Sequence, residues 1–135
     1  MTGERLAAAA LALVGAPFRL HGRDPATGLD CVGVVASALA GVGTRADFPP
    51  GYALRMRRIE GVAGIAARCG LARADDDPQP GDILIARPAP CQFHLLIATA
   101  RDRCVHAHAG LRRVVESPLP PDWPIASRWR LAASD

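Results

Sequence analysis

The sequence predicts an α+β domain in which N-terminal helices pack on one side of a C-terminal antiparallel β-sheet. Two observations carry the prediction. Apolar residues recur at helical spacing through the first third of the chain, and short apolar or alternating runs separated by turn residues fill the part after residue 81. Composition sets the scale: 135 residues, 50% of them apolar and 21% charged, suit one domain with its own core, spanning 1–135.

The first helix is expected over roughly residues 3–14, where Leu6, Ala9, Ala10, Leu13 and Val14 form an amphipathic stripe ended by Gly15 and Pro17. The same run has the length of a signal-peptide core, but Glu4 beside Arg5 weakens the basic flank, so a structural helix is the preferred reading. It is too short to span a bilayer. Residues 15–29 read as an irregular loop. A second helix follows from Cys31 to about Leu39 or Val42, with its stripe at Cys31, Val34, Val35, Ala38, Leu39 and Val42 and its stop at Gly41 and Gly43. Asp47–Gly51 is a turn, with Pro49 and Pro50 imposing extended backbone. One or two short helices are expected within 52–72, interrupted at Gly61 and Gly64, and Asp75–Pro80 is a solvated loop. Strands are expected at Asp82–Arg87, Phe93–Thr99, Cys104–His108, Arg112–Glu116 and Ile125–Leu131.

The net charge is +3, and all sixteen basic residues are arginines. Such a surface tolerates an anionic partner without selecting one. Arg55, Arg57 and Arg58, and Arg112 with Arg113, form small clusters, but few aromatics accompany them and no recognition motif appears, which argues against nucleic acid. The four cysteines lack the dense spacing of a disulfide scaffold and read as reduced thiols.

Cys31 is the first candidate for chemistry. It begins the second helix behind Asp30, a plausible N-cap, and Gly28, which allows a tight turn. A thiol in a helix's first turn meets unpaired N–H groups and the positive end of the macrodipole, which favours the thiolate nucleophile. His94 lies within FHLLIAT and on a two-residue alternation shares a face with Leu96 and Ala98, opposite Phe93, Leu95 and Ile97. A buried imidazole needs a partner or a cleft. His106, on the next strand across a turn near Arg101–Asp102, comes close to it, so that one ring can act as base and the other fix its tautomer. His108 faces the same side, and alternation alone leaves the choice between His106 and His108 open.

These segments resemble the NlpC/P60 family of cell-wall cysteine peptidases. GAPFRLHGRDPATGLDCVGVV is similar to that family's cysteine motif, QPGDILIAR and FHLLIA to its Gly-Asp and histidine strands, and CVHAHAG to the strand of its third catalytic residue. The resemblance covers nearly the whole chain. It implies a papain-like α+β fold and hydrolysis of peptidoglycan stem-peptide amide bonds, commonly between D-glutamate and a diamino acid, without a metal or other cofactor. Carried over by position, it makes Cys31 the nucleophile, His94 the base and His106, between Val105 and Ala107, the orienting residue. Asp30, Phe18 and Val32 fall on substrate-facing positions, with Asp30 placed to hold a free amine. The family usually has Tyr at the position of Phe18, Ser at Val32, and often a Gly pair at His21-Gly22. The wording GRDPATGLDC is most like the compact members encoded with phage tails or gene transfer agents. That implies association with a tail-like particle and action on the periplasmic wall, while the reduced thiols are consistent with cytoplasmic synthesis.

Two readings from other classes compete. Cys91-x2-His94 and Cys104-x-His106-x-His108 place zinc-type ligands on neighbouring strands, though without a paired-Cys knuckle and with Cys31 unexplained. The altered Tyr and Ser positions suit a structural tail component that keeps the fold without turnover. The acidic run Asp75–Asp77 lacks calcium-loop spacing, and Trp123 and Trp129 are expected to seal the core.

Overall fold

Asp30 sets the start of the helix that carries Cys31. Its backbone is extended (φ −97°, ψ −172°), and its carboxylate accepts the Gly33 N–H at 2.8 Å, satisfying a donor the first turn leaves unpaired. The computed structural model describes residues 2–44, 66–67, 69–89 and 92–131. Within them, α1 (Thr2–Leu11), β1 (Arg23–Asp24), β2 (Gly28–Leu29) and α2 (Cys31–Gly41) precede β3 (Leu71–Arg73), β4 (Ile83–Ala89), β5 (Gln92–Ala100), β6 (Arg103–His108), β7 (Arg113–Pro118) and β8 (Ile125–Leu131). The α+β arrangement is the expected one.

The six-stranded antiparallel sheet runs β3-β8-β4-β5-β6-β7, and β1 and β2 form a separate small hairpin. Side-chain alternation divides the sheet into two faces. Ile83, Ile85, Leu95, Ile97, Val105, Ala107 and Val114 join Leu6 and Ala10 of α1 and Val34, Val35, Ala38 and Leu39 of α2 in the main core. Leu84, Ala86, Leu96, Ala98 and Cys104 form a smaller cluster on the other face, covered by Leu119 and Trp123. Each fully buried Leu or Ile contributes about 1.5–3 kcal/mol. No described helix is long and apolar enough to cross a membrane.

A bulge lies between Ala86 and Ala89, where β4 pairs with β5. Pro88 falls within it and so removes no regular ladder donor. At the outer strand β7, the chain's own N-terminal segment supplies partners: Gly15 N–H donates to Val114 C=O, Val114 N–H to Ala16 C=O, and Phe18 N–H to Arg112 C=O.

Several boundaries differ from expectation. The first helix ends at Leu11, and Val14 lies beyond it in a turn, exposed. The loop at 15–29 contains the β1–β2 hairpin. Leu71 and Ala72 belong to strand β3, not to a helix, because pairing with Leu131 and Arg130 of β8 fixes them in the sheet. Ala66 and Ala67 are helical, while the Asp47–Gly51 turn and the expected helices at 52–65 lie outside the described residues.

Candidate functional site

Close backbone packing in front of α2 holds Cys31 in place. A Cβ on Gly33 would lie 2.2 Å from the Gly22 carbonyl oxygen, and one on Gly22 would lie 2.2 Å from the Gly28 carbonyl oxygen. Only glycine allows the hairpin to sit this tightly on the helix start. Asp30, fully buried, binds three partners: its Oδ1 accepts from Gly33 N–H and from Arg23 Nη1 at 2.7 Å, and its Oδ2 accepts from His21 N–H at 3.0 Å. His21 itself adopts a left-handed backbone (φ 61°), where an unbranched polar residue is tolerated.

Cys31 is fully buried, and the Leu95 N–H donates to its sulfur. The thiol therefore sits at the backbone of the residue that follows His94. Its expected ionisation is reversed. Burial pushes the thiol up to about 11, outweighing the Leu95 and Val32 N–H groups, while the Asp30 carboxylate adds to the rise and Arg23 opposes it. The helix start alone does not produce a resting thiolate.

His94 and His106 are brought together. His94 Nε2 lies 3.3 Å from His106 Nδ1, with the rings edge to face at 5.4 Å between centroids. His106 Nε2 lies 3.3 Å from Ser117 Oγ. Burial lowers His94 to about 4, helped by His106 and His108 and opposed by the Ala107 carbonyl; burial and His108 also bring His106 to about 4. Both rings are neutral at pH 7. His108 takes a different part, accepting the Leu111 N–H at Nδ1 in the β6–β7 turn. Of the two candidates, His106 is the one joined to His94. Among the described residues, no imidazole hydrogen-bonds the Cys31 thiol.

Beside the histidines lies a cavity of about 220 Å³ lined by Phe93, His94, His106, His108 and Trp123, among others. Trp123 was expected only to seal the core. Its ring stands edge-on to His94 at 5.6 Å and to His106 at 5.8 Å, so it forms a wall of the site. Ser117 and Trp123 carry no motif, and only the strand pairing and the β7–β8 connection bring them here.

The remaining expected residues occupy less open positions. Val32 is buried in the main core, so its side chain faces packing rather than a cleft. Phe18 is partly buried against that core and bridges to Leu29. The enclosed Asp30 carboxylate serves as helix cap and ion-pair partner. For the zinc reading, Cys104 packs in the smaller cluster and bonds Ser117, and Cys91 lies outside the described residues. Among the described residues, no group of three or more His, Cys, Asp or Glu side chains converges to hold a metal ion.

No family model matches the sequence, and no curated protein matches it either. Solved structures do. NlpC2 from Trichomonas vaginalis superposes with a TM-score of 0.71 at 19% identity, covering 96% of this chain and 46% of that one. The P60 domain of an antigen from M. avium subspecies paratuberculosis gives 0.68 at 18% identity, covering 98% and 96%. The peptidoglycan hydrolase RipB from Mycobacterium tuberculosis gives 0.68 at 20%, covering 98% and 66%. The chain thus spans about half the length of the Trichomonas protein and nearly all of the P60 domain. Its fold is that of NlpC/P60 domains.

Proposed function

We propose that the protein is a cysteine peptidase that hydrolyses amide bonds in peptidoglycan stem peptides, with Cys31 as nucleophile, His94 as base and His106 as the residue that orients it. The observation that carries this reading is the buried His94–His106 pair on the strands beside the Cys31 helix start. The sulfur meets the Leu95 N–H from the main-core side, while His94 faces Trp123 on the other side of β5. The reaction therefore requires thiol and imidazole to be brought together when substrate binds. At rest the His94 ring is engaged by His106 Nδ1 and the Ala107 carbonyl, so one of its nitrogens must be released to take the thiol proton. As that proton moves to His94, sulfur bonds to the substrate carbonyl carbon and the oxygen becomes an oxyanion. The Cys31 N–H, at the first helical position and without an intrahelical acceptor, is a candidate donor to that oxyanion. The C–N bond then breaks, His94 returns the proton to the leaving amine, and water, deprotonated by His94, resolves the thioester to acid and thiol. Neutral resting partners suit this sequence, because the proton needs to leave sulfur only when substrate arrives.

The substrate class comes from the shared fold, since structures of that fold include peptidoglycan hydrolases. Within it, we infer cleavage between D-glutamate and a diamino acid, by a protein carried on a tail-like particle and acting on the periplasmic wall. The test is digestion of defined stem peptides followed by mass analysis. Wild type should release the cleaved fragments and Cys31→Ala should release none; undiminished cleavage by the variant overturns the assignment.

One observation favours a second reading, a catalytically silent component of the same fold: the thiol is fully buried and held protonated. Absence of turnover on every stem peptide, with Cys31 inert to alkylation even in their presence, is the result that reading requires.

A further inference from the structure

A carboxylate directly before a nucleophilic thiol opposes its ionisation, since two neighbouring anions in a buried site repel strongly. Asp30 and Cys31 are that pair, and both are fully buried. The helix cap requires Asp30, so the conflict is built into the fold. Arg23 answers it. From β1, its Nη1 bonds both the Asp30 Oδ1, at 2.7 Å, and the Gly22 carbonyl oxygen, at 3.0 Å. The carbonyl fixes the guanidinium beside the carboxylate, and the Gly22–Gly33 contact fixes that hairpin on the start of α2.

We infer that Arg23 is a positioning residue for the Cys31 nucleophile: by pairing with Asp30 it offsets part of the carboxylate's charge, so that Asp30 caps the helix with less opposition to the thiolate. The inference rests on Cys31 being the nucleophile of the proposed reaction. Among the described residues, the other charged and titratable groups near Cys31 have these places. His21, before β1, donates its backbone N–H to Asp30. His94 on β5 and His106 on β6 are held neutral by burial, His108 bonds the Leu111 turn, and Arg103 pairs with Glu116. Asp24 on β1 is exposed and caps its own turn at Ala26, and Glu4 and Arg5 of α1 face solvent. Among the described residues, the charges that bear on the thiol are Asp30, raising it, and Arg23, lowering it.

The experiment is the pH profile of Cys31 alkylation by iodoacetamide on the full chain, followed by peptide mass mapping so that the other cysteines do not interfere. The midpoint, rather than the rate, reports ionisation separately from access. Arg23→Gln should move the midpoint up, with a correspondingly slower reaction at any pH well below it. Arg23→Lys keeps the charge and should stay near wild type. Asp30→Asn should move the midpoint down, and Arg23→Gln combined with Asp30→Asn should return it towards wild type. A merely structural role would move melting temperatures without this pattern of signs. An unmoved midpoint in folded Arg23→Gln overturns the inference. If that variant does not fold, an Asp30→Asn midpoint that fails to drop overturns it instead. Hydrolysis by Cys31→Ala would sink the peptidase reading and leave these midpoints interpretable, whereas unmoved midpoints in an active enzyme would sink only the role of Arg23.

Discussion

Replacing Asp82 by asparagine strips the charge from a fully buried carboxylate at the entrance to β4. Its Oδ2 accepts from Gln79 N–H, Arg128 Nη1 and Arg130 Nη2 at 2.9, 2.9 and 3.0 Å, and its Oδ1 accepts from Arg130 Nε at 2.8 Å. An asparagine can turn its oxygen to the three-donor side, but its NH2 then faces Arg130 Nε. That loses one charge-assisted bond, about 1.5–3 kcal/mol, and weakens the other two from arginine. The arginines keep secondary partners in Asp76 and the carbonyls of Asp76 and Asp77, which limits the damage. The net expectation is a loss of about 2–4 kcal/mol, read as a shift in urea midpoint at constant slope, with a melting temperature lower by about 10 °C. The pH dependence gives a second check. Burial works to raise Asp82, but Arg130, the Gln79 N–H and Arg128 outweigh it and leave the group below its ordinary value. A depressed acid stabilises the fold above its unfolded value and loses that contribution as pH falls through the folded one. Wild type and variant should therefore differ fully at pH 7 and converge in strong acid. A loss under about 1 kcal/mol at neutral pH, or a gap that widens on acidification, refutes the reasoning.

Further expectations concern the site itself. His94→Ala should lower stem-peptide hydrolysis by roughly 10²–10⁴-fold, the span of a general base, with little effect on substrate affinity; steady-state kinetics separate the two. Because burial brings His94 and His106 down to about 4, hydrolysis should persist in mild acid and its acidic limb should fall near that value in a pH–rate profile. The same shift makes stability decline as pH drops from the unfolded histidine range, about 6.5, towards 4, since the unfolded chain binds protons first. His106→Asn should flatten part of that decline in denaturant titrations at stepped pH. Gly33→Ala should cost about 1–3 kcal/mol in thermal unfolding, because the new methyl group meets the Gly22 carbonyl oxygen and the Leu29 side chain.

Much of the frame was legible where pattern and pairing agree. The last strand, Ile125–Leu131, has its expected bounds, and the four preceding strands differ only at their ends. β3 was not legible because its three residues are largely exposed and carry no apolar alternation; only β8 defines them. The two-residue strands of the β1–β2 hairpin are likewise set by contact with the helix start rather than by propensity. In the site, alternation placed His94 opposite Leu95 and made His106 its neighbour. It could not separate His106 from His108, which have the same parity, and the turn at Leu111 makes that distinction. Trp123 was invisible as a wall because nothing local marks it. The thiol's ionisation went against the helix-start argument because a local dipole effect of about 1 kcal/mol is smaller than the cost of burying a charge.

The segment from Gly15 to Phe18 lies along the outermost strand, β7, and occupies backbone groups there that another chain would otherwise find vacant. Bare strand borders invite neighbouring molecules to add on and grow into insoluble stacks. The leading residues thus act as a selvedge: trimming the chain to begin after Phe18 would unravel that border, and the shortened protein should self-associate where the full one stays dispersed.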